Sequence, residues 1–449
     1  MTFRQAAAAS LAALLFASSF GTAGQESAPA GENFDELSGS YQLQDGRLLI
    51  VWDVVDSMPG HVHQLVATEP DSGWVRTLYP DSQGHFHTGP GWFAATPRED
   101  TLVFDSSAPD KMDNVVWSHE GKELTGSRAP IRSRPLTIES GDVALSGELV
   151  LPPEGVGAEP YPAVLMIPGF GALTRKTPRY VADQYAMAGI AALIHDRRGT
   201  GKSTGTYHPG AIHEFAQDAG AALAALRKLD EVDPDRIGVM GSSSGGMTAA
   251  LLHREDSDWA FFVCRVCSTD PLWKLPALLR QGWERPVTGI DVLDALAFQV
   301  LASRYAMTRE NYAALHSIAQ STEGEDWRRS LGVPDWWQLH ESDAPAWNGY
   351  RSLLELGTDE FFVSLDMPFL LVLGEYDDRL PGAYHASRLR WKLDEAGKSD
   401  YGIRVLPRAS HGLMVTEFEE GKRVPFRRFV PGWHREMVNW VVRQVAAAR

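Results

Sequence analysis

Arg236-Ile237-Gly238-Val239-Met240-Gly241-Ser242-Ser243-Ser244-Gly245-Gly246-Met247-Thr248-Ala249-Ala250-Leu251-Leu252 passes from an apolar strand through a glycine-bounded turn into a helix-compatible run. A hydroxyl nucleophile must protrude from a sharp strand-to-helix turn, and glycines two before and two after it remove side chains that would collide there. Ser243 is the residue that Gly241 and Gly245 flank. Its adjacent serines alone would suit a flexible linker, but an apolar strand on one side and a helix on the other do not.

A serine hydroxyl needs a neighbouring base, and the base needs a third group to hold its ring. Downstream, Phe369-Leu370-Leu371-Val372-Leu373 reads as a strand that runs into Gly374-Glu375-Tyr376-Asp377-Asp378. Chemistry in open α/β sheets gathers beyond the carboxyl ends of strands, which nominates Asp377, with Asp378 and Glu375 as competing acids. A further strand, Ile403 to Leu406, leads to Pro407-Arg408-Ala409-Ser410-His411-Gly412, so His411 is the best-placed base among 14 histidines. The order Ser243, Asp377, His411 is the order that serine hydrolases of strand–turn–helix type use. Two backbone donors must meet the oxyanion. The amide of Ser244 is one, and that of Phe170, in the loop after the strand Ala163 to Ile167, is expected to be the other.

Around this turn, from about residue 136, apolar strands alternate with amphipathic helices, which implies a mostly parallel sheet with helices on both faces. Two extended segments, Leu136 to Glu139 and Val143 to Leu151, lead in. Strands are expected at Ala163 to Ile167, Ile190 to Ile194, Ile237 to Met240, Phe261 to Cys267, Pro368 to Leu373 and Ile403 to Leu406. Helices fit at Thr177 to Ala188, Glu214 to Leu229, after Ser243, at Ala383 to Glu395 and at Trp433 to Ala447. The alternation breaks over about 270–366, too long for a structureless loop. That stretch holds Trp273, Trp283, Trp327, Trp336, Trp337 and Trp347 among helical segments such as Asp291 to Tyr305, and reads as an inserted helical cap.

Residues 34–130 carry short apolar or alternating runs, Arg47 to Val55, Trp74 to Leu78, Trp92 to Ala95, Thr101 to Phe104 and Asn114 to Trp117, broken by Gly, Pro and Asp turns. This predicts a small antiparallel β-domain. Ahead of it, Arg4, the apolar run Ala6 to Phe20 and Gly21-Thr22-Ala23 read as a secretory signal peptide over 1–23, followed by a linker over 24–33. The run is shorter than the roughly 20 residues that cross a bilayer, so no stable membrane insertion is expected.

The chain has 449 residues, 44% hydrophobic and 22% charged, enough for two domains with a buried core. Its net charge of −16 disfavours nucleic-acid partners. Cys264 and Cys267 fall in an apolar run read as a strand, where positions three apart face opposite ways, so two buried free thiols are expected rather than a disulfide or metal site. Gly201-Lys202-Ser203 mimics a phosphate-binding loop, but Asp196 stands where that loop needs glycine. The alternative is a structural turn in which Asp196 and Arg197 tie loops together near the site. His61 with His63, and His85 with His87, could each place two imidazoles on one strand face. Without carboxylate or thiolate support nearby they read as surface or turn histidines, and no metal or cofactor is expected.

With these motifs in view, residues 136–449 resemble the α/β-hydrolase superfamily, and within it the bacterial EstD-like serine carboxylesterases. The likeness lies in Val143 to Pro152, Pro168-Gly169-Phe170-Gly171, His195-Asp196-Arg197-Arg198-Gly199-Thr200-Gly201-Lys202-Ser203-Thr204-Gly205, the serine elbow and the Asp and His loops. Pro168 stands where relatives often have His, and Ser244 where many have Glu or Met, which alters the pocket lining. The resemblance implies an α/β-hydrolase fold with an appended N-terminal β-domain, acting on a small-molecule carboxylic ester. Tryptophans in the cap suggest an apolar or aromatic group on that ester, unless they only hold the cap together. A peptidase or amidase on the same scaffold is the alternative, and a non-catalytic binding protein the second.

Overall fold

The computed structural model describes residues 34–447 except 35, 56–62, 93, 109–110, 209–210, 270–289, 322–343, 357, 378–379, 420–421 and 424–425. The expected signal peptide, linker and His61 lie outside the described residues, as do Trp273, Trp283, Trp327, Trp336 and Trp337.

The N-terminal sheet is built from β1 (Gly39–Leu43), β2 (Leu48–Val55), β3 (His63–Glu69), β4 (Trp74–Thr77), β5 (Tyr79–Pro80), β6 (Phe86–His87), β7 (Thr101–Ala108), β8 (Lys111–His119) and β9 (Lys122–Arg128). Their order is β4-β3-β2-β1-β9-β8-β7-β6-β5, with every pair antiparallel. Of the run expected at Trp92 to Ala95, residue 93 is outside the described residues; Trp92 lies outside these strands, accepting the Thr77 amide on its carbonyl at 3.2 Å and donating its own amide to Phe426 O at 2.7 Å.

The second sheet opens with β10 (Arg132–Ser140) and β11 (Val143–Leu151), an antiparallel pair in which exposed positions alternate with half-buried or buried ones along β10. Deeper in, β12 (Tyr161–Ile167) is buried at every position. Helix α1 (Arg179–Met187), β13 (Ala191–His195), α2 (Ile212–Leu226), β14 (Val232–Ser242), α3 (Ser244–Glu255) and β15 (Phe262–Arg265) follow. Cap helices α4 (Ile290–Thr308), α5 (Tyr312–Ser321) and α6 (Ala344–Glu355) and the short α7 (Asp359–Ser364) precede β16 (Phe369–Gly374), α8 (Gly382–Glu395) and β17 (Tyr401–Leu406). A two-stranded ribbon, β18 (Phe418–Glu419) and β19 (Lys422–Arg423), and helix α9 (Trp433–Ala447) end the described chain. The sheet order is β10-β11-β13-β12-β14-β15-β16-β17. Strands β13 to β17 run parallel, the pattern of an α/β-hydrolase fold. Continuous apolar strands sit in the middle because helices cover both faces there.

Besides a core of its own, each sheet contributes to one cluster that spans both. Ile50, Trp52, Val66 and Val75 of the N-terminal sheet pack in the same cluster as Tyr180, Tyr185, Phe429 and Trp433. Trp52 stacks on Tyr180 at 4.8 Å, and Ser40 Oγ donates to Asp183 at 2.7 Å across the junction. His434 is fully buried here, edge-on to Tyr180 and Phe429. Burial, with a smaller contribution from Arg265, holds its imidazole well below the ordinary 6.5. Burial also lowers His195.

The cysteines overturn the expectation of two free thiols: Cys264 and Cys267 form a disulfide, with Cα atoms 5.8 Å apart. The strand stops at Arg265 and Val266 adopts φ 48°, so the alternate-face rule no longer applies to Cys267. The turn brings its side chain back to Cys264.

Iodoacetamide should alkylate no cysteine in the unfolded, unreduced chain and both after reduction, as read by intact mass. The unfolded chain, with histidines near 6.5, takes up protons that folded His434 and His195 refuse. Stability should therefore be complete above about pH 6.5 and fall as the pH drops, by up to ~1.4 kcal/mol per pH unit for each histidine. Urea midpoints at pH 7.5 and 5.5 check this, and His434→Phe should shrink the difference.

Candidate active site

Ser243 sits between the end of β14 and the first residue of α3, with φ 52° and ψ −116°. Such a backbone costs a non-glycine residue about 1–3 kcal/mol, and the surroundings must hold it. They do so by close packing. A Cβ on Gly245 would lie 2.6 Å from Ile167 O, and one on Gly241 would lie 2.8 Å from the Gly245 backbone. The Ser243 amide donates to Arg265 O at 2.8 Å, which fastens the turn to β15.

The loops after β16 and β17 meet over this turn because those strands are neighbours in the sheet. His411 Nε2 lies 3.0 Å from Ser243 Oγ, and its Nδ1 lies 2.8 Å from Asp377 Oδ2. A carboxylate only accepts, so Nδ1 carries the proton and Nε2 is left to accept from the serine hydroxyl. Asp377 is buried, and its second oxygen accepts the Leu380 amide at 2.9 Å. Of the competing acids, Glu375 points elsewhere, accepting the Arg408 amide at 2.7 Å. Asp378 lies outside the described residues.

The amide of Ser244 opens α3, where helix geometry provides no intrahelical acceptor. Phe170 lies in the loop after β12, and its neighbour Gly169 backs directly onto the turn: a Cβ there would be 3.5 Å from Ser243 Cβ. The sequence places Arg197 in a turn that ties loops together near the site, with no partners legible in it. The structure supplies them: its guanidinium, buried, donates to Pro168 O at 2.8 Å and Gly171 O at 3.3 Å, bracketing Phe170. Its face lies 4.1 Å from the Phe215 ring centroid. The two loop carbonyls and the ring compensate its burial, with Tyr207 and, at longer range, Asp218 also favouring its charge.

Gly201-Lys202-Ser203 is a turn wrapped round Asp196, which accepts the amides of Arg175 at 2.8 Å and Lys202 at 2.9 Å. Of the described histidines, His63 and His87 lie far apart. His63 begins β3 and His87 ends β6, with five strands between them in the sheet. The amide of His85 is held in a turn by Asp81 Oδ1 at 3.0 Å. In the cap, Trp347 is buried edge-on to Tyr305 at 4.7 Å, packing the cap's own core.

A family model described as X-Pro dipeptidyl-peptidase (S15 family) matches residues 140–389, more than half of the chain. The chain belongs to the S15 family. It is thus a member of the α/β-hydrolase superfamily. This S15 member is 29% identical over 153 residues to the quorum-quenching protein AidA of Acinetobacter baumannii, covering 33% of this chain and 48% of that protein. The match thus spans about half the length of that relative. It is 25% identical over 231 residues to a non-heme haloperoxidase of Rhodococcus erythropolis, covering 50% of this chain and 77% of that protein. Among solved structures, a hypothetical protein of Pseudomonas aeruginosa overlays 70% of this chain and 94% of its own, with a TM-score of 0.44 and 17% identity.

Arg197→Met removes both donors to the Phe170 loop while keeping an apolar stem on Phe215. Loss of an aligned oxyanion donor costs about 10²–10³ in kcat when complete, and this variant should lose at least about tenfold with little change in KM. Steady-state kinetics on a folded variant, checked by circular dichroism, decides it.

Proposed function

We propose that this chain is a serine hydrolase that cleaves carboxylic esters through an acyl-enzyme. The observation that carries the reading is the pair of contacts made by one imidazole, 3.0 Å to Ser243 Oγ and 2.8 Å to Asp377 Oδ2. In this reading Ser243 attacks the carbonyl as His411 takes its proton, and Asp377 holds the ring and stabilises the imidazolium. The amides of Ser244 and Phe170 receive the oxyanion. The imidazolium then protonates the leaving alkoxide, and water deacylates the serine by the same route. No step calls for a cofactor.

A second reading, hydrolysis of peptides or amides, is favoured by the description of the S15 family model. The likeness to EstD-like carboxylesterases in the oxyanion, serine and acid loops supports the ester reading. An apolar or aromatic group is proposed for the substrate, resting on the tryptophan content of the cap.

Export is proposed as well, to the periplasm or beyond. Arg4, the Ala6 to Phe20 run and Thr22-Ala23 support it, and so does a disulfide, which persists in oxidising compartments. Among the described residues no helix is long and apolar enough to cross a membrane.

Short and long p-nitrophenyl acyl esters and aminoacyl anilides, assayed side by side, separate the readings. Ester turnover should dominate and fall by about 10⁴-fold or more in Ser243→Ala, with a loss of similar order in Asp377→Asn. Anilide turnover without ester turnover would replace the ester reading with the peptidase one.

A further inference from the structure

Strand β4 stands at the edge of the N-terminal sheet, yet that edge is occupied. Trp74 forms a bridge with Arg428, the Phe429 amide donates to Gly73 O at 2.7 Å, and the Trp92 amide donates to Phe426 O at 2.7 Å. Arg76 donates its guanidinium to the Arg427 carbonyl. Residues 426–429 are therefore gripped on this side by the backbone bridge, to which the Phe429 bond belongs, by the Trp92 amide and by the Arg76 side chain.

Their other edge leads to the catalytic loop. The Val415 amide donates to Arg428 O at 2.9 Å and the Val430 amide to Leu413 O at 2.9 Å, while Met414 bridges Phe429. Residues 413–416 in turn fold back on 408–410: Ser410 N donates to Met414 O at 2.9 Å, and Thr416 N to Arg408 O at 2.8 Å. His411 lies at the tip of that last turn. Opposite, the loop is tied to the acid side by Tyr376 N donating to Ala409 O at 2.8 Å. The Phe429 ring anchors the arrangement, packed on Tyr180 at 5.9 Å and Trp92 at 5.8 Å.

We infer that the N-terminal sheet is a positioning wall for His411: its edge strand β4 holds residues 426–430, which hold the loop that aims the imidazole at Ser243. The inference rests on the serine-hydrolase reading of the site. Its physical basis is tolerance. One ring must satisfy two contacts at once, and a displacement of about 1 Å in such a group costs roughly 10²-fold in rate. A loop on its own is the most mobile part of a fold. Backbone bridges to the edge of a nine-stranded sheet limit that freedom, while the buried rings of Tyr180 and Phe429 stack at the junction.

The test compares variants at this junction with one far from it. At Gly73, φ is 77° and a Cβ would meet Phe429 O at 2.2 Å, so Gly73→Val pushes residues 426–430 outward. Arg76→Gln and Trp92→Ala weaken the same grip without adding bulk, and serve if Gly73→Val does not fold. Leu102→Ala, at a fully buried position in β7, weakens the sheet without touching this segment. For each, kcat and KM on a short p-nitrophenyl ester, the rate of Ser243 phosphonylation by a small fluorophosphonate, and Tm are measured well below unfolding. The expected result is that the junction variants lose about tenfold or more in both kcat and phosphonylation rate with KM within about twofold, while Leu102→Ala lowers Tm and keeps both rates within about twofold. Junction variants that keep wild-type rates, or a Leu102→Ala loss as large at equal Tm, overturn the inference. Ser243→Ala runs alongside. Turnover that survives it would bring down the serine reading and this inference together, whereas wild-type rates in the junction variants beside a dead Ser243→Ala would bring down this inference alone.

Discussion

Everything at the site depends on how closely β14 and α3 can meet at Ser243. The turn holds its central residue at φ 52°, and it closes only because Gly241 and Gly245 place no side chain where the backbone of Ile167 and of the helix start already lies. With the serine fixed there, the parallel order of β14, β15, β16 and β17 brings the acid and histidine loops to the same end of the sheet. The Arg265 carbonyl that accepts the Ser243 amide belongs to the turn closed by the Cys264–Cys267 disulfide, so the strand next to the nucleophile also has its end fixed.

Charge is handled by backbone as much as by opposite charge. Arg197 is buried, and burial lowers its pKa. It spends its donors on the carbonyls of Pro168 and Gly171 and its face on Phe215. Asp377 is buried too, and an amide and an imidazole satisfy its two oxygens. A polar group removed from water has to be hydrogen-bonded, and here those bonds also fix the direction in which the reacting groups point.

The N-terminal sheet joins this arrangement through the aromatic cluster of Trp52, Trp92, Tyr180 and Phe429. An exposed sheet edge invites pairing with other chains, and this one is covered on the β4 side by the segment that returns from the histidine loop. One device thus protects an edge and stiffens a loop. The cap, by contrast, keeps a core of its own around Tyr305 and Trp347 and touches the main body through Ile212, Met247, Leu251 and Leu380.

The elbow, the chain order of Ser243, Asp377 and His411 and the alternation of strands and helices were legible in the sequence. These are local properties: a period of residues along a strand or helix, and a turn that only glycine-flanked serine can make. Tertiary structure decided the rest. Glu375 and Asp377 differ by two positions in one loop, and only the fold shows that the first caps Arg408 while the second meets His411. The disulfide arises because Val266 leaves the extended conformation, which no apolar run announces. The shared core and the path from β4 to His411 join residues more than 300 positions apart, and pairing at that range depends on which edges and faces the whole chain leaves to be covered.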